Sequence, residues 1–276
     1  MLVDNMRISV TQDCNLDCQY CHKEGECSPA KEVSLEKIRQ ITDSAIKLGI
    51  KKFKITGGEP LLRKDIVEII YTIKQLGAED ISMTTNGTLL GSKAKALKQA
   101  GLNRVNIGCD SLSSSILEKT KDSIKNGLNE AKQAGLNPIK LNMVVLKGIN
   151  ENEIEDMIEF ARETKTILQL IELIDKNNQY FKNHYFPLDK IEADLKEKAL
   201  AVNKRNMQNR LQYDLGNVLV EVIRPTHKSF CAACNKIRIT SDGLLKPCLM
   251  RDDNLINFEN SDSLKQAISA KGAYYD

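Results

Sequence analysis

Short runs of β-branched and apolar residues recur about every 30 residues through the first two-thirds of the chain, and a helical pattern separates each from the next. Strands are expected at Arg7–Val10, Lys52–Thr56, Ile81–Thr85, Arg104–Gly108, Ile139–Val145 and Ile167–Ile171. Helices are expected near Leu35–Leu48, Asp65–Leu76, Lys93–Ala100, Ile124–Ala134 and Glu151–Arg162. This alternation predicts βα units on a parallel sheet. Six strands fall short of a closed eight-stranded barrel. The fold class is therefore α/β, a partial (βα)6 TIM-like barrel over residues 1–175. Over residues 176–276 the rhythm stops, and a more polar, irregular extension follows.

Alternate residues of a strand face opposite sides, and here the two sides differ. One carries Ile8, Val10, Phe53, Ile55, Ile81, Met83, Val105, Ile107, Leu141, Met143, Val145, Leu168 and Leu170, which should pack under the helices. The other carries Arg7, Ser9, Lys52, Lys54, Thr56, Ser82, Thr84, Asn106, Gly108, Lys140, Asn142 and Gln169. A barrel serving only as scaffold fills its interior with Val, Ile and Leu. Buried cations cost many kcal/mol unless something neutralises them. Lys52 and Arg104 stand at strand ends, where a side chain reaches water. Arg7, Lys54 and Lys140 mark a lumen for a polar, anionic ligand.

Composition narrows the classes of function. The 276 residues are 41% hydrophobic and 28% charged, and the formal charge is +3, which is ordinary globular composition with no footprint for long nucleic acid. No stretch reaches the roughly 20 apolar residues of a membrane helix, and the first residues show no apolar leader, so a cytoplasmic protein is expected. In that compartment the eight cysteines point to metal or redox chemistry rather than disulfides. Cys14, Cys18 and Cys21 form C-x3-C-x2-C, and Cys231, Cys234 and Cys248 form C-x2-C-x13-C. The first triad follows the first strand, at the mouth where barrel enzymes keep their sites. Three thiolates on a [4Fe–4S] cluster leave one iron open to a substrate. Cys18–His22 also fits covalent haem attachment, and His22 or His227 would complete a zinc set at either triad. Cys109 should be a small core residue, Cys27 a loop thiol, and His184 a surface or cap histidine.

The segment Cys14-Asn15-Leu16-Asp17-Cys18-Gln19-Tyr20-Cys21, together with Gly57-Gly58-Glu59-Pro60 after the second strand, resembles the signature of radical S-adenosylmethionine (SAM) enzymes. Phe230-Cys231-Ala232-Ala233-Cys234-Asn235-Lys236-Ile237-Arg238, then Ser241-Asp242-Gly243 and Pro247-Cys248-Leu249, resembles the GTP 3′,8-cyclase family of molybdenum cofactor biosynthesis. His22-Lys23-Glu24-Gly25 is more similar to its archaeal members. The resemblance implies a [4Fe–4S] cluster on Cys14, Cys18 and Cys21 that cleaves SAM reductively. It implies an auxiliary [4Fe–4S] cluster on Cys231, Cys234 and Cys248 in the C-terminal extension, whose open iron takes the guanine of GTP.

By the same resemblance Tyr20, Gly58, Glu59, Gly108 and Ile174 lie on the SAM side, where Glu59 would accept from an ammonium group. Arg7, Lys54, Thr84, Lys140, Lys236 and Arg238 lie on the GTP side, and Arg238 is counted with the catalytic set. Lys54 and Lys236 stand where bacterial members carry arginine, which keeps the charge and loses the bidentate fork. Gln169 also replaces an arginine, Gly108 a serine and Ile174 a methionine. Bacterial members end in Gly-Gly, whereas this chain ends Lys271-Gly272-Ala273-Tyr274-Tyr275-Asp276. The implied reaction is that of a radical SAM lyase making (8S)-3′,8-cyclo-7,8-dihydroguanosine 5′-triphosphate. The implied partners are an electron donor and the next enzyme, cyclic pyranopterin monophosphate synthase; monomer and homodimer both stay open. A radical SAM enzyme for a peptide or tetrapyrrole is the alternative, and a non-catalytic zinc or iron–sulfur protein a remote one.

Overall fold

Period-two apolar runs and period-3.6 apolar stripes decide the architecture. In the computed structural model, which describes residues 3–26, 31–113, 121–175, 177–205, 207–225 and 227–271, they form alternating strands and helices. These are β1 (Asn5–Ser9), α1 (Leu35–Lys47), β2 (Lys52–Thr56), α2 (Ile66–Gln75), β3 (Asp80–Thr85), α3 (Leu90–Ala100), β4 (Arg104–Gly108), α4 (Lys121–Gln133), β5 (Ile139–Val145), α5 (Ile154–Glu163) and β6 (Ile167–Glu172). All six expected strands and five expected helices are present. The α5 pattern begins three residues late because Glu151–Glu153 form a 3-10 turn.

The helices form for local reasons. Ser34 caps α1 by accepting from Lys37 N at 3.2 Å. Ile66, Ile69, Ile70 and Ile73 fall on one face of α2, and each is fully buried. Each such side chain contributes about 2 kcal/mol of transfer free energy. They pack beneath the strand face read as apolar, whose thirteen residues from Ile8 to Leu170 are all at most 1% exposed. Cys109 is buried in the same core, as expected.

Beyond β6 the chain is more regular than its sequence suggests. It forms α6 (Gln179–His184), α7 (Asp189–Lys198), β7 (Ala201–Lys204), β8 (Leu211–Asp214), β9 (Leu219–Ile223), α8 (Lys228–Ala232), β10 (Lys236–Ile239), β11 (Leu244–Lys246), β12 (Ile256–Asn257) and α9 (Ser261–Ser269). Six strands thus replace the irregular extension expected there. They were hidden because they are short and because β7 is wholly exposed, which erases the apolar alternation.

All twelve strands belong to one sheet, ordered β12-β11-β10-β1-β2-β3-β4-β5-β6-β9-β8-β7. From β10 through β6 to β9 every pairing is parallel, so the six-stranded barrel gains one parallel strand at each edge. Antiparallel pairs then flank both sides. The sheet curves around its polar face: a hollow of about 530 Å³ is lined from β1, β2, β3, β4, β5 and β6, and also by Lys236 of β10.

Candidate active site

Gly57-Gly58-Glu59-Pro60 lies against the start of the cysteine loop. A Cβ on Gly57, whose φ is +148°, would sit 2.4 Å from Thr11 O, and one on Gly58 would sit 2.3 Å from Asp13 O. Only glycine permits this approach. Through it Gly58 N donates to Thr11 O at 2.8 Å and Glu59 N to Asp13 O at 2.7 Å. The loop is tied at two further points. Asn15 accepts from Asn86 Nδ2 at 2.8 Å and donates to Thr88 Oγ1 at 3.0 Å. Tyr20 donates its hydroxyl to Asp110 Oδ2, while Asp110 Oδ1 accepts from Val144 N at 2.8 Å. Burial, followed by the Asp110 and Cys18 charges, pushes the Tyr20 phenol well above its ordinary value, so it stays a donor.

Glu59 is fully buried. Its carboxylate accepts from Leu61 N at 3.0 Å, Thr85 Oγ1 at 2.7 Å and Asn86 N at 2.6 Å. These bonds tie the loops after β2 and β3 together at Glu59. Around this anchored loop, Cys14 and Cys21 are exposed and Cys18 half-buried. Gly108 closes β4 opposite Asn142. Ile174 is half-buried just past β6.

Register sets the rest of the lumen. Across β10, β1, β2, β3 and β4, Arg238, Arg7, Lys54, Ser82 and Arg104 are successive Cα partners. Neighbours in register face the same way, so four cations form one row. Arg104 pairs with Asp80, and Lys52, half exposed, pairs with Asp4 at 2.9 Å. Two buried carboxylates that sequence reading missed offset this charge. Glu24, on the turn after the first triad, accepts from Arg7 at 2.5 Å, Thr56 Oγ1 at 2.9 Å and Arg238 at 3.1 Å. Burial pushes it up, but Arg7, His22 and Arg238 together outweigh that and hold it at about 2. Glu221, in the middle of β9, accepts from Lys140 Nζ at 2.6 Å and Arg205 at 2.7 Å. The signal for it was a lone acid in the apolar run Leu219-Val220-Glu221-Val222-Ile223.

These carboxylates do not balance the cations of the lumen. Burial first, then Arg7 and Arg210, hold Lys54 well below the ordinary lysine value; among the described residues no carboxylate is in ion-pair reach of it. Lys236 is held down in the same way, by burial and then Arg210 and Arg7. Among the described residues its ammonium donates to a neutral partner, Gln208 Oε1, at 2.9 Å. Arg7 Nε, Thr84 Oγ1 and Asn142 Oδ1 are buried polar atoms without a hydrogen-bond partner among the described residues. Such atoms fit a bound polar ligand. Gln169 lies in register with Glu221 and donates to it.

The second triad brackets the other end of β10. Cys231 lies in α8, Cys234 precedes β10, Cys248 follows β11, and all three are half-buried. The first triad lies past the C-terminal end of β1, whereas these lie at the end of β10 and β11 that adjoins the start of β1. Lys271 Nζ donates to Cys234 Sγ at 3.4 Å. Burial raises that thiol, but Lys271 and the N–H and charge of Lys236 bring it below its ordinary value, toward the thiolate that a metal needs. His227 faces Glu172 at 3.6 Å rather than a thiol. Among the described residues no three His, Cys, Asp or Glu side chains form a ready-made metal site. The donor chemistry of both triads, three thiols each, still fits iron–sulfur clusters. A role for Cys27 and for Gly272–Asp276 falls outside the described residues.

Comparison with known proteins adds an independent line. Residues 8–161 match the Radical SAM superfamily, and residues 166–271 match Molybdenum Cofactor Synthesis C. A probable GTP 3′,8-cyclase of Archaeoglobus fulgidus is 42% identical over 97% of this chain and 93% of its own. One of Methanocaldococcus jannaschii is 44% identical over 92% and 88%. Streptococcus suis SuiB bound to precursor peptide SuiA superposes with a TM-score of 0.71 at 16% identity over 93% of this chain. The chain spans 62% of that longer protein, and the likeness is one of fold. With archaeal relatives matched along nearly its whole length, the chain belongs to the GTP 3′,8-cyclase family of the radical SAM superfamily.

Proposed function

We propose that this chain is a GTP 3′,8-cyclase. It converts GTP to (8S)-3′,8-cyclo-7,8-dihydroguanosine 5′-triphosphate, the first step of molybdenum or tungsten cofactor biosynthesis. The family brings a [4Fe–4S] cluster, SAM and a second cluster, which sets aside the haem and zinc readings of the triads. Cys14, Cys18 and Cys21 would hold the first cluster, and Cys231, Cys234 and Cys248 the second. When bound, the first cluster supplies the electron for reductive cleavage of SAM, and the second an open metal position beside the substrate.

The chain's own residues provide the rest. Tyr20, Gly58 and Glu59 keep the first cysteine loop in place, with Gly108 and Ile174 at the same mouth. Arg7, Lys54, Lys140, Lys236 and Arg238 bind the anionic substrate between the triads, and Thr84 offers its unpartnered hydroxyl. The sheet and the C-terminal hairpins surround the substrate on several sides, and excluding water there would protect radical chemistry from side reactions. Residues 1–175 act as the SAM-cleaving part and 176–276 as the part completing the GTP site. No helix among the described residues is long and apolar enough to cross a membrane, and we place the enzyme in the cytoplasm. A cytoplasmic electron donor serves it, the product passes to cyclic pyranopterin monophosphate synthase, and a homodimer is compatible with the fold.

The observation that carries this reading is the row Arg238, Arg7 and Lys54 in register between two cysteine triads. The test is product analysis. The reaction breaks the ribose C3′–H bond and forms a C3′–C8 bond, and one electron and one proton replace the hydrogen lost. The product is therefore an isomer of GTP. Anaerobic turnover should yield a new chromatographic species with the mass of GTP, alongside methionine and 5′-deoxyadenosine. GTP recovered unchanged while SAM is cleaved would overturn the assignment.

A further inference from the structure

Two cations enter the lumen from outside the barrel. Arg205 follows β7 and Arg210 precedes β8, and both line the polar hollow with Lys54, Lys140 and Lys236. Arg205 N donates to Arg210 O at 2.8 Å, so the hairpin turn presents both guanidinium groups at one place. Glu221 beside them is fully buried and shared. It is 2.7 Å from Arg205, 2.6 Å from Lys140 and 4.0 Å from Arg210.

One carboxylate among three cations leaves charge unmatched, and Arg210 bears most of the shortfall. Its side chain is only 13% exposed. Its Nη2 donates to the neutral Gln208 Oε1 at 2.6 Å, and its Nε is buried without a partner. Burial lowers it to about 10 even with Glu221 nearby. A guanidinium is a planar fork that matches two oxygens of a carboxylate or phosphate. Here the fork faces a cavity rich in cations, lies over the Phe230 ring at 5.5 Å, and has its carboxylate partner Glu221 only at 4.0 Å, beyond hydrogen-bond distance.

We propose that Arg210, with Arg205 beside it, is a polyphosphate-binding pair of the substrate site, positioned by Glu221. This rests on the reading of the lumen as a nucleoside triphosphate site and adds what selects the phosphate chain. Arg210 Nε and Nη donate to phosphate oxygens, and Arg205 closes on the same chain from the rim. The pair therefore distinguishes nucleotides by phosphate number and is indifferent to the base.

The experiment is calorimetric titration of the anaerobically reconstituted holoenzyme with GTP, GMP and inorganic tripolyphosphate. Arg210→Ala should weaken GTP and tripolyphosphate by about tenfold or more and GMP by less than about twofold, with Arg210→Lys restoring part of the loss. SAM affinity and iron content should be unchanged. GTP binding within about twofold of the parent protein, or equal losses for GTP and GMP, would overturn the proposal. If Arg210→Ala does not fold, Arg210→Gln and Arg205→Ala are judged by the same criteria. Should the parent protein bind tripolyphosphate but neither nucleotide, with Arg210→Ala abolishing that binding, the GTP reading fails and the arginine pair stands.

Discussion

The two ends of the lumen are held by different forces. Around the first cysteine loop the bonds are made by backbone groups and short polar side chains: Gly58 and Glu59 to residues 11 and 13, Asn15 to Asn86 and Thr88, Tyr20 to Asp110. From the middle of the lumen toward the second triad the links are charges: Glu24 reaches in from the turn after the first triad to lie between Arg7 and Arg238, and Glu221 lies among Lys140, Arg205 and Arg210. Hydrogen bonds of the first kind are short-ranged and fix a loop whether or not a ligand is present. A cationic pocket, by contrast, repels itself when empty, so it carries its own carboxylates and still leaves Lys54 and Lys236 depressed. One end is preformed, and the other is completed by its ligand.

The sharpest way to break this comparison is to delete one thiol at each end. Cys14→Ala should abolish SAM cleavage and remove about four of the roughly eight irons expected for two [4Fe–4S] clusters. Cys248→Ala should cost a similar share of iron yet leave SAM cleavage in place. Retained cleavage in a cleanly reconstituted Cys14→Ala protein would show that the ends are not specialised as described. Next in size, Arg238→Ala should lower GTP turnover by about tenfold or more, since it removes a charge-assisted contact, while slow GTP-independent SAM cleavage persists. Unchanged turnover would remove Arg238 from the site.

A smaller effect is expected from Glu59→Ala. It leaves the half-buried Asn86 N–H and the buried Thr85 hydroxyl without their acceptor, and should cost about 3 kcal/mol in denaturant unfolding. A loss under about 1 kcal/mol would mean that the loops are held by something else. Smallest is a pH effect confined to the charged end. Because burial and neighbouring cations depress Lys54 and Lys236, a bound polyanion restores their charge and binding takes up protons. GTP affinity should therefore fall as pH rises from below toward the ordinary lysine value of about 10. Flat or rising affinity in calorimetric titrations would contradict this sign.

What could be read in advance follows the range of the forces. The six βα units and their buried face from Ile8 to Leu170 were legible because side-chain alternation is a local property. The cationic lumen was legible for the same reason, since Arg7, Lys54 and Lys140 share one strand parity. The pairing of β10 with β1 joins residues more than two hundred positions apart, and no local pattern encodes it. Arg205 and Arg210 lie in a polar hairpin that reads as solvent-facing, so only the fold reveals that it turns inward. Glu24 and Glu221 were missed differently. Each is an acid whose partners are distant in sequence, although Glu221 inside an apolar strand was a usable clue.

The central claim is that the anion-completed end and the SAM-cleaving end work as one site. Its most direct test is 5′-deoxyadenosine formation by the anaerobically reconstituted protein with SAM and dithionite, with and without GTP. The account predicts that GTP stimulates formation and is consumed one for one with it. Cleavage that proceeds at the same rate whether or not GTP is present, with GTP untouched, would contradict it.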